Sequence, residues 1–289
     1  MVVEEIIIYG AVQGAVYALL ALGYSLVYGV GGILNLAHGA YYLLATYAFY
    51  LTWLVFEGSP FGFYFGMLMA LIVATLVGML SYLLIIKPLK EHEISMLIGT
   101  FTLGFFIEQL VIVAYNPKTY SIPTQFQASV TILGIAIQLH WLIIIIFSLI
   151  TVILVTVFIN RSKLGKSIRA VSQDREAAML MGINADRVLM YTIMISAFLA
   201  GVASILYTPV YLVAPYIGWP ILTNAIAVVI LGGMGSLPGS VIGAFIIGYA
   251  RIMTDYLINP VFSSLIPVVV IIIILIFRPR GLFGKKDTD

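Results

Sequence analysis

Side chains able to do chemistry are sparse in this sequence, and their spacing excludes more than it suggests. His38, His92 and His140 are scattered without ligand spacing, and cysteine is absent, so metal sites and thiol chemistry have no residues to use. Gly165-Lys166-Ser167 has the ending of a phosphate-binding loop. That loop needs a glycine at position 160, where Asn stands, and a soluble strand before it. No Gly-x-Ser-x-Gly, His-Glu-x-x-His or paired-carboxylate cluster occurs. The expectation is a chain that is not an enzyme and does not itself hydrolyse nucleotide. What remains are polar residues set singly into apolar runs. Asn35 and His38 follow Gly29, Gly31 and Gly32, which unwind or break a helix, and either cap a short turn or offer their side chains to whatever occupies the gap. Glu108, next to Gln109, could be a proton or cation site, or could bond at a helix contact near the outer interface. Arg251 and Asp255, four apart, can neutralise each other on one helix face.

The elements that must hold these residues follow from composition. Of 289 residues 62% are hydrophobic and 9% charged, against about 25% charged in a soluble domain. Most of the chain therefore has lipid as its solvent, and a net charge of +2 is too small for a nucleic-acid footprint. A span needs about 20 apolar residues. Intervals between charges place spans near 6–29, 37–56, 61–86, 94–115, 132–160, 188–208, 221–239, 240–258 and 260–277. Runs such as Leu142–Ile146 are apolar on every face, which excludes a lipid-facing barrel. The fold class is all-α: a polytopic helical membrane protein, residues 1–289 as one transmembrane domain, with eight to nine transmembrane helices broken near 29–39 and 232–239. Gly232 to Gly239 faintly echoes Gly32 to Gly39, as paired broken segments in a transporter with internal repeats would.

Lys and Arg set the orientation. Lys87 and Lys90, segment 161–187 and the tail (Arg278, Arg280, Lys285, Lys286) belong to the cytoplasmic side, and 116–131 to the outside. Counting back puts the N-terminus outside and the C-terminus in the cytoplasm, with the first apolar run a retained span and not a signal peptide.

Segment 161–187 holds nine of the 26 charged residues, six basic and three acidic. Its pattern predicts a short helix over 166–181, with Ile168, Val171, Ala178 and Met181 on one side. Gly182 is placed to end that helix in the left-handed conformation, and Asn184 to cap the next span. Such a helix could lie on membrane lipid or dock into a groove on a cytoplasmic partner. The mixed signs and the small Ala177-Ala178 favour a protein groove.

Glu176-Ala177-Ala178-x-x-x-Gly182 resembles the coupling loop of ATP-binding-cassette (ABC) importer permeases. Gly23-Tyr24-Ser25-Leu26-Val27-Tyr28-Gly29 with Asn35-Leu36-Ala37-His38-Gly39, the stretch Ile230 to Gly239, and the tail Phe277 to Gly284 look like branched-chain amino acid permeases of the LivH/LivM type, closer to the H-type subunit. The resemblance runs from about residue 6 to residue 284. It implies a multi-pass protein of a prokaryotic plasma (inner) membrane, in a heterodimer with a second permease, two cytoplasmic ATPase subunits and an extracytoplasmic amino-acid-binding protein. It implies no cofactor in this chain, ATP being bound by the partners. Carried onto this sequence, it makes Arg169, Asp174, Arg175, Glu176, Ala177, Ala178 and Gly182 the ATPase-coupling residues, with Arg169, Arg175 and Glu176 as charged contacts and Gly182 as the bend; the candidate translocation-pathway residues are then Asn35, His38 and Asn224. Relatives on the same scaffold handle urea, amides or other small polar solutes. From a different class, an ion-coupled secondary transporter using Glu108 is the rival expectation.

Overall fold

A helix that is apolar all round has no face for water and belongs among other helices. The first helix, α1 (Val2–Gly31), is of this kind, and in the computed structural model every residue from Val12 to Val27 is buried. The structure describes residues 2–132, 134–278 and 280–284, so Lys285 and Lys286 of the basic tail lie outside the described residues. After α1 come α2 (His38–Val55) and α3 (Pro60–Ser81). A π-helical turn, Tyr82–Ile86, carries α3 into the short α4 (Lys87–Leu89), and α5 (Glu93–Tyr115) follows. Strands β1 (Ser129–Ile132) and β2 (Ile135–Gln138) pair antiparallel and lead into α6 (Leu139–Arg161). Two short helices, α7 (Lys163–Gln173) and α8 (Arg175–Leu180), precede α9 (Ala185–Tyr207). The chain closes with α10 (Gly218–Gly232), α11 (Leu237–Leu257), a turn α12 (Pro260–Ser263) and α13 (Ile266–Phe277).

Among the described residues, seven helical segments are long and apolar enough to cross a membrane. The two other expected crossings are occupied by shorter or less apolar helices. α2 carries four tyrosines in 18 residues, and α13 has only 12 residues, about 18 Å of helix against a hydrocarbon layer of about 30 Å. The span expected from residue 132 begins only at Leu139, because the hairpin takes up its first residues. Alternating Ile and Val in a short apolar run suit a strand as well as a helix, and periodicity alone does not separate them.

Both breaks fall where the glycines predict. α1 ends at Gly31 and α2 starts at His38, with Gly32 at φ +64°; α10 ends at Gly232 and α11 starts at Leu237, with Gly233 at φ +98°. The two breaks touch, Gly235 lying against Gly29. Close approach of α1 and α11 also depends on missing side chains, since a Cβ on Gly248 would overlap the backbone of Gly14. Small residues at such a seam let helix backbones meet, which is how helices associate where hydrophobic burial gives little advantage.

The level at which α2 and α10 begin shapes everything else. α2 runs beside α9 in parallel, with His38 bonded to Ser196 and Thr46 to Ser204, each pair 158 residues apart. Ser196 is the eleventh residue beyond Ala185, so α2 begins about 16 Å along α9. Gly39 packs on the carbonyl of Gly218, so α10 begins at the same depth. Two helices thus start back to back in the middle of the bundle.

Candidate functional site

The segment matching the coupling loop forms a capped projection at one end of the bundle. Ser162 accepts from Gly165 N (2.8 Å) and starts α7, whose Ile168 and Val171 are buried. The predicted single helix over 166–181 is corrected to two. Asp174 is extended (φ −154°) and its side chain accepts from Ala177 N (2.9 Å), so a carboxylate that sequence reads as a helix-surface charge instead ends α7 and caps α8. The break turns α8 so that Ala178 stays buried while Met181, expected on the same face, is 83% exposed. Gly182 adopts φ +83°, as expected, and Ile183 N and Gly182 N bond back to Ala178 O and Met179 O, closing the helix in a Schellman turn. Asn184 accepts from Arg187 N (2.9 Å) and caps α9, also as expected.

Several charges of this projection are held within the chain. Arg169 donates to Asn160 (2.9 Å), and Arg175 pairs with Asp186 (3.2 Å), which Lys90 also meets at 2.8 Å. Glu176 and Ala177 are exposed. The most prominent outward side chains are apolar: Leu180 is 89% exposed and stands beside Met179 and Met181.

Asn35, His38 and Glu108 converge on the depth where α2 and α10 begin. Asn35 donates to the Tyr41 hydroxyl (3.0 Å) and accepts from Ala37 N (3.1 Å), and Tyr41 in turn bonds Ser81. His38 is fully buried, with Nδ1 at Ser196 Oγ (3.1 Å) and its ring edge-on to Tyr24 and Tyr41. Glu108 is 7% exposed and lines a small void with Gly39, Gly218 and Trp219, inside the helix packing rather than at an open interface. Asn35 and His38 are not among the residues lining the large cavity; Asn224 is.

That cavity, about 1000 Å³, lies above the start of α10. Its floor and walls come from α10 and the 207–217 connection, and its rim from the 119–127 loop, tied to that connection by the Tyr120–Val213 bridge. Trp141, Val210, Ile217 and Ile221 make it apolar, while Gln13, Tyr17, Tyr207 and Arg251 supply polar groups. Tyr207 donates to Gln13 (3.0 Å), and Arg251 donates to the Tyr17 hydroxyl. The anticipated mutual neutralisation of Arg251 and Asp255 is not what the side chains do: among the described residues no carboxylate pairs with Arg251. Helical side chains lean toward the N-terminus, and α1 and α11 are antiparallel, so Tyr17 and Arg251 lean toward one another across the seam. Sequence reasoning passed over Gln13 and Tyr17, although a glutamine four residues before a tyrosine in an apolar helix was a readable signal.

The chain resembles known proteins over nearly its whole length. The family described as "Branched-chain amino acid transport system / permease component" matches residues 6–275. The high-affinity branched-chain amino acid transport system permease protein LivH of Escherichia coli (strain K12) is 28% identical, covering 97% of this chain and 95% of LivH. The corresponding permease protein BraD of Pseudomonas aeruginosa is 27% identical over the same shares. Among solved structures, PsaBC from Streptococcus pneumoniae in complex with Fab has the same fold (TM-score 0.55, 13% identity, 94% of this chain and 91% of that one). An unpaired cation over a cavity, two helices that start back to back in mid-bundle, a capped projection at one end and this end-to-end match lead to one statement: the chain is a multi-pass membrane protein that belongs to the branched-chain amino acid transport permease family.

Proposed function

We propose that the chain is the membrane-spanning subunit of an ABC importer that moves branched-chain amino acids across a prokaryotic plasma (inner) membrane. In this reading it pairs with a second permease, two cytoplasmic ATPase subunits and an extracytoplasmic amino-acid-binding protein. It has no enzymatic activity and no cofactor, and ATP is held by the ATPases. The N-terminus is outside and the 161–187 segment cytoplasmic, as the basic residues of 87–90 and 161–187 favour. The large cavity then opens outward, where a binding protein delivers its solute, and Asn224 lines the pathway with Asn35 and His38 shaping the broken helices behind it.

The observation that carries the reading is the family match across residues 6–275. The projection supports it physically. Asp174, Arg175 and Gly182 set the shape of the coupling unit, Arg169 anchors it to α6, and Ala178 seats it on the bundle. Glu176, Ala177 and the exposed Met179, Leu180 and Met181 face the ATPase groove. Closure of the ATPases pushes on α8, and the Schellman turn passes that push to α9.

The test is reconstitution of the complete importer in vesicles, with ATP hydrolysis and leucine uptake measured together. Leucine-loaded binding protein is expected to stimulate hydrolysis severalfold. A Glu176→Lys, Gly182→Val variant is expected to insert normally and to lose that stimulation at least tenfold. Uptake at the wild-type rate by this variant, or a complex that purifies without ATPase subunits, would sink the proposal.

A further inference from the structure

A cation held within a membrane-spanning helix is costly unless something neutralises it, and such a residue marks a functional site by default. Arg251 is six residues, about 9 Å, from the end of α11, and it lines both the large cavity and a second cavity of about 520 Å³ that shares Gln13, Trp141 and Tyr207 with it. A guanidinium has five N–H donors. One nitrogen of Arg251 donates to the neutral hydroxyl of Tyr17, and among the described residues no other side chain accepts from the remaining donors. Tyr17 is itself fully buried, so it fixes the guanidinium without cancelling its charge. Asp255, one helical turn on, lines the second cavity with Arg251 and leaves it unpaired. Between and beside them stand Trp141, Val210, Ile217 and Ile221.

We propose that this is a solute subsite inside the permease, taking a zwitterionic amino acid with an apolar side chain. The inference rests on the importer reading above and names the residues of this chain that receive the solute. The carboxylate seats on Arg251, where planar bidentate hydrogen bonding gives direction as well as charge. The ammonium faces Asp255, and the side chain lies against Trp141 and the Ile217–Ile221 wall. Both ends of the solute and both ends of the site balance, so loading leaves no net charge in the span. Tyr17, held in α1, is a positioning residue: it sets where the guanidinium waits.

The experiment uses the complete reconstituted importer and reads the number of solute molecules moved per ATP hydrolysed. Arg251→Gln is expected to lower leucine moved per ATP at least tenfold. Arg251→Lys, which keeps the charge and loses the fork, is expected to fall between it and wild type. Tyr17→Phe is expected to raise the KM for loaded binding protein with a smaller effect on the ratio. If Arg251 only stitches α1 to α11, hydrolysis and uptake fall together, the ratio stays constant, and the inference is overturned. An unchanged ratio with normal hydrolysis overturns it too. The outcomes separate from those of the importer reading. Wild type that takes up leucine alongside a fully active Arg251→Gln defeats the subsite alone. Wild type that takes up a different carboxylate solute, with the ratio still dependent on Arg251, defeats the leucine assignment and upholds the carboxylate seat. Wild type that moves only a solute without a carboxylate defeats both.

Discussion

Asp186 illustrates how little a single ion pair contributes to stability and how much it can contribute to shape. It receives Lys90 at 2.8 Å and Arg175 at 3.2 Å, joining the α4–α5 connection to the start of α8 through one carboxylate. All three groups are partly open to solvent, where such pairs are worth about 1 kcal/mol or less. Asp186→Asn is therefore expected to leave the melting temperature of the purified complex nearly unchanged. It also frees the Glu93 end of α5 from the projection. The expected result is a reduced solute-to-ATP ratio at normal stability, measured by uptake and hydrolysis on the same vesicles; an unchanged ratio would show that the bridge carries no motion. Much of the neighbourhood was readable residue by residue. Gly182 with φ +83° and the Asn184 cap follow from local chemistry, which needs only a few neighbouring residues to decide. Arg251 was not, because its partner Tyr17 is 234 residues away and only the folded seam brings them together.

Elements were legible by the same division between local and distant causes. Charge intervals located the helices, and runs of glycine located the two breaks, since both signals lie within a turn or two of their effect. Asp174 misled because an aspartate mid-helix and an aspartate ending one helix while capping the next look alike until its backbone is seen to be extended. The hairpin 129–138 was hidden inside an apolar run for the same reason. The depth at which α2 and α10 begin was invisible, being set by contacts such as His38 with Ser196. At this scale a contrast of two glycines is informative. Gly39→Ala places a Cβ on the Gly218 carbonyl, whereas Gly32→Ala meets nothing within 4 Å and bears only the left-handed backbone penalty. The first is expected to cost about 1–3 kcal/mol as overpacking, the second about 1–2 kcal/mol. Thermal unfolding in detergent measures both, and a cost at Gly39 well below about 1 kcal/mol would contradict the back-to-back start.

At the scale of the whole molecule, the far end of the chain returns to an element it left about fifty residues earlier. Leu282 N bonds Leu231 O (2.8 Å) and Phe283 N bonds Gly232 O (3.0 Å), so the tail clasps the last turn of α10 beside the second break. Phe283 and Ser172 of α7 border one crevice there, with Gly29 and Gly235. Removing residues 281–289 is expected to leave the protein inserted and to speed amide exchange at 232–236 about tenfold, measured by mass spectrometry; unchanged protection would mean that the tail merely rests there. The back-to-back start of α2 and α10 has a consequence of a different sort. Gly39 and Gly218 meet main chain to main chain. A joint of that construction has no interlocking side chains to withdraw and no rotamers to redistribute when one helix slips along the other. Where side chains interdigitate the bundle is a jigsaw that resists shear; here, as where Gly29 meets Gly235 and Gly14 meets Gly248, it is a bare bearing. A reorientation of the bundle that leaves its packed faces intact would turn about places such as this, where the sequence supplies nothing but hydrogen at both α-carbons.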